Sequence, residues 1–210
     1  MVACAVPKDL EGEILDIGSG SGIISLAVAQ LLPKTKITAV EIDEEAHLQS
    51  LQNFQNSEWA NRLNAVHESI QEYAENANKT FDGIVCNPPF FKSNENLSGA
   101  RKTARQDQSL SFEHLLSSVD RLLSENGKFI CIVPFERSKE IINIGSALNL
   151  YLINELKIKG KEHLNPKRSI LIFSRKPMEI CQQSFLTVYE TDGNYTSSYK
   201  KMTKEFYLKF

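Results

Sequence analysis

Two short segments of this chain carry residue types whose spacing can do chemistry. The first is Gly18-Ser19-Gly20-Ser21-Gly22, with Asp16 two residues ahead of its first glycine. Glycines at alternate positions let the backbone approach a ligand closely, and a helix starting behind them offers unpaired N–H donors. Glu41 ends the next apolar run, where a carboxylate can accept hydrogen bonds from both hydroxyls of a ribose. The second segment is Asn87-Pro88-Pro89-Phe90. Each proline extends the residue before it and none donates an N–H, so the segment is stiff and presents carbonyls. The Asn87 side-chain carbonyl and the Pro88 backbone carbonyl can both accept from a planar amino group, and Phe90 offers a face for a ring.

That set suits one kind of reaction. An exocyclic amine is a poor nucleophile because its lone pair is delocalised into the ring. Two acceptors placed on its hydrogens favour a pyramidal nitrogen and return the lone pair to it, so catalysis comes from orientation and preorganised polar groups. Each segment alone has a plainer reading: glycines also serve tight turns, and a proline pair also stiffens a loop. Their conjunction favours chemistry. A dinucleotide site needs G-x-G-x-x-G to seat a pyrophosphate, and position 23 is Ile. Asp16 would repel a pyrophosphate but suits a cationic amino acid tail. S-adenosylmethionine (SAM) has that tail and no phosphate, so SAM is expected over NAD.

The elements that must hold these segments alternate. Strands are expected at Glu13–Ile17, Ile37–Val40, Leu63–Val66, Phe81–Cys86 and Phe129–Val133, and helices at Ile23–Leu32, Glu44–Asn56, Ile70–Ala77 and Ser111–Ser124. Pro33 ends the first helix, and Asn126-Gly127 is expected to turn the chain. Strand–helix repetition implies a parallel sheet with helices on both faces, which puts the glycine loop, Glu41 and Asn87 on one carboxyl edge. Tyr151–Ile158 and Ser169–Ser174 are separated only by a basic loop and suit an antiparallel hairpin; Ser184–Tyr189 adds an edge segment. The fold expected is α/β and Rossmann-like, with a seven-stranded, mostly parallel sheet, in one domain over residues 1–210.

Composition excludes other classes. With 41% apolar and 24% charged residues among 210, the chain is neither disordered nor fibrous, and no apolar run is long enough to span a bilayer. Cys4, Cys86, Cys131 and Cys181 have no C-x-x-C spacing or matching His pairs. Neither a disulfide frame nor a metal site is therefore expected, and the chain reads as cytoplasmic. His47, His67, His114 and His163 show no ligand spacing and read as structural, as do Met178, Phe185, Tyr189, Phe206 and Tyr207. Charge is segregated. Residues 1–156 hold 13 basic and 21 acidic side chains, a net of −8, whereas residues 157–210 hold 11 and 5, a net of +6. A basic end suits an anionic partner such as nucleic acid, and equally a solvated face. Arg101, Lys102 and Arg105 after the reaction segment share both readings.

Asp16-x-Gly18-x-Gly20-x-Gly22, Glu41 and Asn87-Pro88-Pro89-Phe90 together resemble the class I SAM-dependent N-methyltransferases that act on amino groups. Asn56-Ser57-Glu58-Trp59-Ala60-Asn61-Arg62-Leu63, Arg101-x-x-x-Arg105, Lys167 through Ser174, Asn194-Tyr195-Thr196-x-x-Tyr199 and Phe206-Tyr207-Leu208 narrow the resemblance to the bacterial tRNA1(Val) adenine-37 N6-methyltransferases. It implies that Asp16, Gly18, Gly20, Gly22 and Glu41 bind SAM, and that Asn87, Pro88 and Phe90 hold a tRNA adenine presented by the anticodon loop. Ser69 stands where the family usually has an acid touching the cofactor. Phe90 and Phe91 replace the more usual tyrosines, and the family's longer lead before the first strand is missing. A monomer is expected, and no metal site. Two rivals share part of the pattern: a glutamine N5-methyltransferase of release factors, against which the basic end argues, and a noncatalytic SAM- or nucleotide-binding module, against which the intact reaction segment argues.

Overall fold

The computed structural model describes residues 1–88 and 110–207. Phe90, Arg101, Lys102 and Arg105 lie outside them, as do the last three residues of the tail. One sheet runs through the molecule, formed by β1 (Gly12–Ile17), β2 (Thr35–Glu41), β3 (Leu63–His67), β4 (Phe81–Cys86), β5 (Leu123–Pro134), β6 (Tyr151–Lys159), β7 (Arg168–Ser174) and β8 (Gln182–Thr187). Their order is β3-β2-β1-β4-β5-β7-β6-β8. The first five strands pair in parallel, β7 lies antiparallel between β5 and β6, and β8 runs parallel to β6 along the edge. The expected hairpin is therefore present, and among the described residues the edge segment brings the sheet to eight strands, one more than the seven expected.

Helices α1 (Ile23–Leu31), α2 (Glu44–Gln55), α3 (Ile70–Asn76), α4 (Phe112–Leu122), α5 (Ser138–Ala147) and α6 (Ser197–Thr203) cover the sheet. Two apolar clusters show the layering. Leu15, Ile84, Cys131 and Leu171 of the strands pack with α3, α4 and α5 on one face. Ile14, Ile37, Val85, Ile130 and Ile170, which point the other way, pack with α1 and α6 on the opposite face. Successive strand residues point to opposite faces, so strands buried on both sides read as continuous apolar runs. Helix α4 shows the complementary pattern, with Phe112, Leu115, Leu116, Val119 and Leu122 buried along one stripe. Ser111 caps its start by accepting from His114 N–H at 3.2 Å, which satisfies one of the donors a helix N-terminus leaves unpaired.

Three elements differ from expectation. Asn126-Gly127 does not turn the chain between helix and strand but lies inside β5, where the register with β4 slips between Phe81↔Leu123 and Gly83↔Lys128. The extra residues of β5 are accommodated as an irregularity, the usual outcome when one strand is longer than its partner. Helix α5 has no side-chain cap at its N-terminus and carries three isoleucines and Gly145, so propensity does not announce it. Gly145 is there for packing: a Cβ would stand 3.3 Å from both Leu150 O and a Phe173 ring carbon. Helix α6 lies in the tail read above only as a motif. Thr196 caps it, accepting from Tyr199 N–H at 3.1 Å and donating to Thr187 O at 2.5 Å, while Tyr195 stacks on Tyr199 at 4.9 Å. These contacts dock the tail onto the end of β8.

The Asn56–Leu63 segment also has a physical role. Arg62 donates to the carbonyls of Ala29 at 2.7 Å, Leu32 at 3.1 Å and Thr35 at 2.9 Å. It thereby closes the C-terminus of α1, where unpaired carbonyls and the helix dipole favour a cation. No helix among the described residues is long and apolar enough to cross a membrane.

Arg62→Ala should lower stability by about 1.5–3 kcal/mol, the range for charge-assisted bonds, and the melting temperature by roughly 3–12 °C at this chain length. Arg62→Lys should recover only part of it, because an ammonium lacks the planar fork that reaches several carbonyls at once. Thermal unfolding of the three proteins measures this.

Candidate active site

Within the parallel part of the sheet, strand order reverses at β1. From β1 the chain builds outward through β2 and β3, then returns to place β4 on the other side of β1. The crossovers on the two sides diverge there, and a crevice opens at the carboxyl ends of β1 and β4, the position at which open α/β sheets bind ligands. Ile17 pairs with Cys86 at that edge, so the loop entered at Gly18 and the segment entered at Asn87 leave adjacent strands side by side.

The glycine loop turns back on the end of β2. Gly18 N–H and Ser19 N–H both donate to Val40 O, at 2.9 and 3.2 Å, and Gly22 N–H donates to Ser19 O at 2.9 Å. Gly18, Gly20 and Gly22 have φ of +66°, +54° and +79°, a region that side chains disfavour. Their surroundings differ. A Cβ on Gly18 or Gly20 would meet nothing within 4 Å, so both border open space, whereas one on Gly22 would lie 2.4 Å from the Phe54 ring of α2. Gly22 is thus required by helix packing, and Gly18 and Gly20 keep space clear. Asn53 of α2 adds a tie the sequence did not reveal, donating to Ser21 O at 2.9 Å.

Two carboxylates flank the loop. Glu41 accepts from Gly20 N–H through Oε2 at 2.7 Å, and from Ile42 N–H and Asp43 N–H through Oε1, each at 2.9 Å. Each carboxylate oxygen has two lone-pair sites, so Oε2 keeps capacity for one hydroxyl while holding the loop. Asp16 is fully buried at the end of β1, and Ser25 Oγ of α1 donates to its Oδ2 at 2.7 Å. Its Oδ1 has no partner, and neither does the buried Ser19 Oγ. Burial pushes the Asp16 carboxyl up to about 7, against the lowering effect of the Ser25 bond; the negative charge of Glu41 raises it further. An orphaned, buried carboxylate oxygen calls for a cationic donor that the described residues do not supply. Together with the space beside Gly18 and Gly20, this fits a cofactor that carries an ammonium tail and a ribose. Ser25 escaped sequence reading because its partner lies nine positions away across a turn.

Asn87 is exposed and Pro88 buried at the exit of β4; Phe90 lies outside the described residues. Ser69 caps α3, accepting from Glu72 N–H at 3.2 Å and donating to Glu72 Oε2 at 2.7 Å. It stands near the crevice, since Glu68 N–H donates to Glu41 O at 3.2 Å, but its hydroxyl already has helix-capping partners. Among the described residues, no group of three His, Cys, Asp or Glu is placed to hold a metal ion. A cavity of about 570 Å³ lies elsewhere, on the flank of α1 against Trp59, Tyr199 and Phe206, and includes none of Asp16, Glu41 or Asn87.

Known proteins are similar to this chain in sequence and in fold. The methyltransferase small domain family matches residues 1–138. A tRNA1(Val) (adenine(37)-N6)-methyltransferase of Flavobacterium psychrophilum is 41% identical over 93% of this chain and 84% of its own length. The protein of the same name from Bacteroides fragilis is 34% identical over 97% and 86%. Among solved structures, a predicted O-methyltransferase of Agrobacterium tumefaciens superposes with a TM-score of 0.74 at 16% identity, covering 97% of this chain and 94% of its own. A precorrin-6y C5,15-methyltransferase of Geobacter metallireducens does so at 0.55 and 14%, covering 82% and 83%. Their different acceptors mark the likeness as one of fold.

The raised Asp16 carboxyl makes stability depend on pH. Between its unfolded value of 3.8 and its folded value of about 7, the native state binds a proton that the unfolded state has lost. This group's contribution to stability therefore falls as pH rises through that window and is flat above it. Asp16→Asn should remove that component, so the variant should gain in melting temperature relative to wild type at pH 8 and gain least at pH 4. Unfolding scans of both ligand-free proteins across this range provide the check; a parallel pH dependence would refute the assignment.

Proposed function

The chain belongs to the methyltransferase small domain family and, within it, to the tRNA1(Val) (adenine(37)-N6)-methyltransferases, and from that membership we propose that it moves a methyl group from SAM to the N6 amino group of adenine 37 in that tRNA. One observation carries the reading: an Asn-Pro segment leaves β4 directly beside the glycine loop of β1, at the reversal of strand order.

SAM supplies an electrophilic methyl on a sulfonium. In this reading Asp16 and the open side of Gly18 and Gly20 receive its amino acid tail, and Glu41 accepts from its ribose while bridging to Gly20 N–H. Ser69, at the start of α3, borders the far end of the same ligand. Asn87 Oδ1 and the Pro88 carbonyl would accept from the two hydrogens of the adenine amine and turn its lone pair toward the methyl. The N–C bond would form as the S–C bond breaks, SAM would leave as its thioether, and the surplus N6 proton would pass to water. Phe90 is the expected stacking face for the base. The base must leave its own stack to enter, as in other enzymes that act on a base. Gripping an anticodon loop requires cations near the crevice. Lys167 and Arg168 stand at the start of β7 on the same edge, both exposed, and Lys159 and Lys161 lie at the end of β6 and in the loop that follows it. We assign the partner as the anticodon loop of one tRNA bound to a monomer in the cytoplasm.

The direct test is incubation with labelled SAM and unmodified total tRNA, followed by nucleoside mass spectrometry, with N6-methyladenosine as the expected product. Asn87→Ala should then lower kcat by about 10²–10³-fold, the effect of losing one preorganised polar group, with SAM affinity nearly unchanged. Near-normal turnover would sink the mechanism. Replacing Lys167 and Arg168 together with Ala should weaken tRNA binding and flatten its log–log salt dependence, each lost phosphate contact removing about 0.7–0.9 from the slope. A release-factor methylase would show no such slope.

A further inference from the structure

Phe185 takes the edge-strand place expected of it, but its ring is largely uncovered. It sits on β8, the edge strand, with 59% of its surface exposed, while the next residue, Leu186, is 5% exposed on the opposite face. Its register partner on β6 is Lys157, and Lys159 pairs with Thr187 two residues along. Side chains of register partners share a sheet face. The Lys157 ammonium lies 5.7 Å from the Phe185 ring centroid and that of Lys159 lies 4.8 Å from it. Both cations are held in place. Lys157 donates to Gln183 Oε1 at 3.0 Å and stands 3.5 Å from Glu155, itself bonded to Ser169 Oγ at 2.8 Å. Lys159 donates to Glu162 O at 3.1 Å and stands 3.6 Å from the Glu162 carboxylate.

We propose that this edge of β6 and β8 is a stacking platform for a nucleotide of the RNA substrate, with Phe185 as the stacking ring and Lys157 and Lys159 as the cations beside it. The inference rests on the tRNA reading and extends it to a second point of contact. An exposed aromatic ring set among cations is the combination that binds unpaired nucleotides, the ring meeting the base and the cations the backbone. Position agrees with this. β6 and β8 run in the same direction as β4, so Lys159 and Thr187 stand on the same sheet edge as Asn87. Four strand spacings separate β4 from β8, about 19 Å at the usual interval, close to the rise of about six stacked nucleotides at roughly 3.4 Å each. A tRNA with one base in the crevice can therefore lay an unpaired nucleotide about six positions along the strand on Phe185. Lys161, Lys167 and Arg168 continue the positive charge between the two points, and Glu162, Glu190 and Asp192 are the acids that temper it.

The test compares wild type with Phe185→Ala, Phe185→Tyr and Phe185→Trp, using a tRNA1(Val) transcript, with SAM affinity as the control for folding. Phe185→Ala should weaken tRNA binding by roughly 5- to 150-fold, the range for losing one base–aromatic stack, without changing the salt slope. Lys159→Ala should flatten that slope. Phe185→Tyr should bind as wild type does, and the indole emission of Phe185→Trp should be quenched when RNA is added. Wild-type methylation of adenine 37 with equal tRNA affinity in all Phe185 variants would overturn the platform and leave the tRNA reading intact. Binding that depends on Phe185 without methylation would support the platform and remove that reading. A change in self-association with unchanged RNA affinity would assign the face to a second copy of this chain and overturn the proposal.

Discussion

Everything at the site hangs from the carboxyl end of β1. Its last four residues, Ile14 to Ile17, are buried, and the strand pairs in parallel with β2 on one side and β4 on the other. Ile14 and Leu15 belong to the apolar clusters on opposite faces. A one-residue slip would exchange those faces, so burial fixes the register strongly. With β1 fixed, Asp16 and Gly18 are fixed, and so are the exits of the two neighbouring strands that bring Glu41 and Asn87 beside them. The crevice follows from this topology and needs no strained scaffold of its own.

The electrostatics of the crevice are divided between two acids with opposite surroundings. Glu41 meets three backbone N–H groups, one of which belongs to the glycine loop. Asp16 meets Ser25 within an apolar interior, and burial raises its carboxyl. Charge-assisted bonds to backbone N–H groups stabilise a carboxylate strongly, whereas desolvation favours its neutral form. Glu41 therefore ties the loop to β2, whereas Asp16 keeps one carboxylate oxygen without a partner among the described residues. The burial that raises this carboxyl is also what leaves its Oδ1 without a partner among the described residues.

The basic residues of the chain also resolve into groups with different tasks. Lys157, Lys159 and Lys161 each have partners in neighbouring strands or loops, which set their ammonium groups in position. Arg62 and Arg175 work within the fold. Arg62 binds the end of α1, and Arg175 pairs with Asp120 at 2.8 Å at the end of α4. Lys167 and Arg168 stand exposed at the crevice edge. Net charge alone could not separate these roles, because a cation that caps a helix and one that faces solvent count equally.

The sequence by itself determined the alternation of elements, because strands buried on both faces must be continuously apolar and the helices between them carry caps such as Asp43 and Ser111. It also determined the local chemistry, since glycine spacing and an Asn-Pro step act through the backbone of a few consecutive residues. Helix α5 stayed hidden because its residues are poor helix formers held by packing. Asn126-Gly127 read as a turn because local preference gives no sign of a register slip against β4. Only the tertiary structure decided which distant residues meet: Ser25 with Asp16, Asn53 with Ser21, Arg62 with α1, Lys159 with Phe185. These pairs lie on separate elements whose distance is set by sheet order and helix packing, and no periodicity within a single segment encodes that order. The same reason separates Gly22 from Gly18 and Gly20. All three serve a loop in sequence, but only the approach of Phe54 shows which one is needed for packing and which leave room for a ligand.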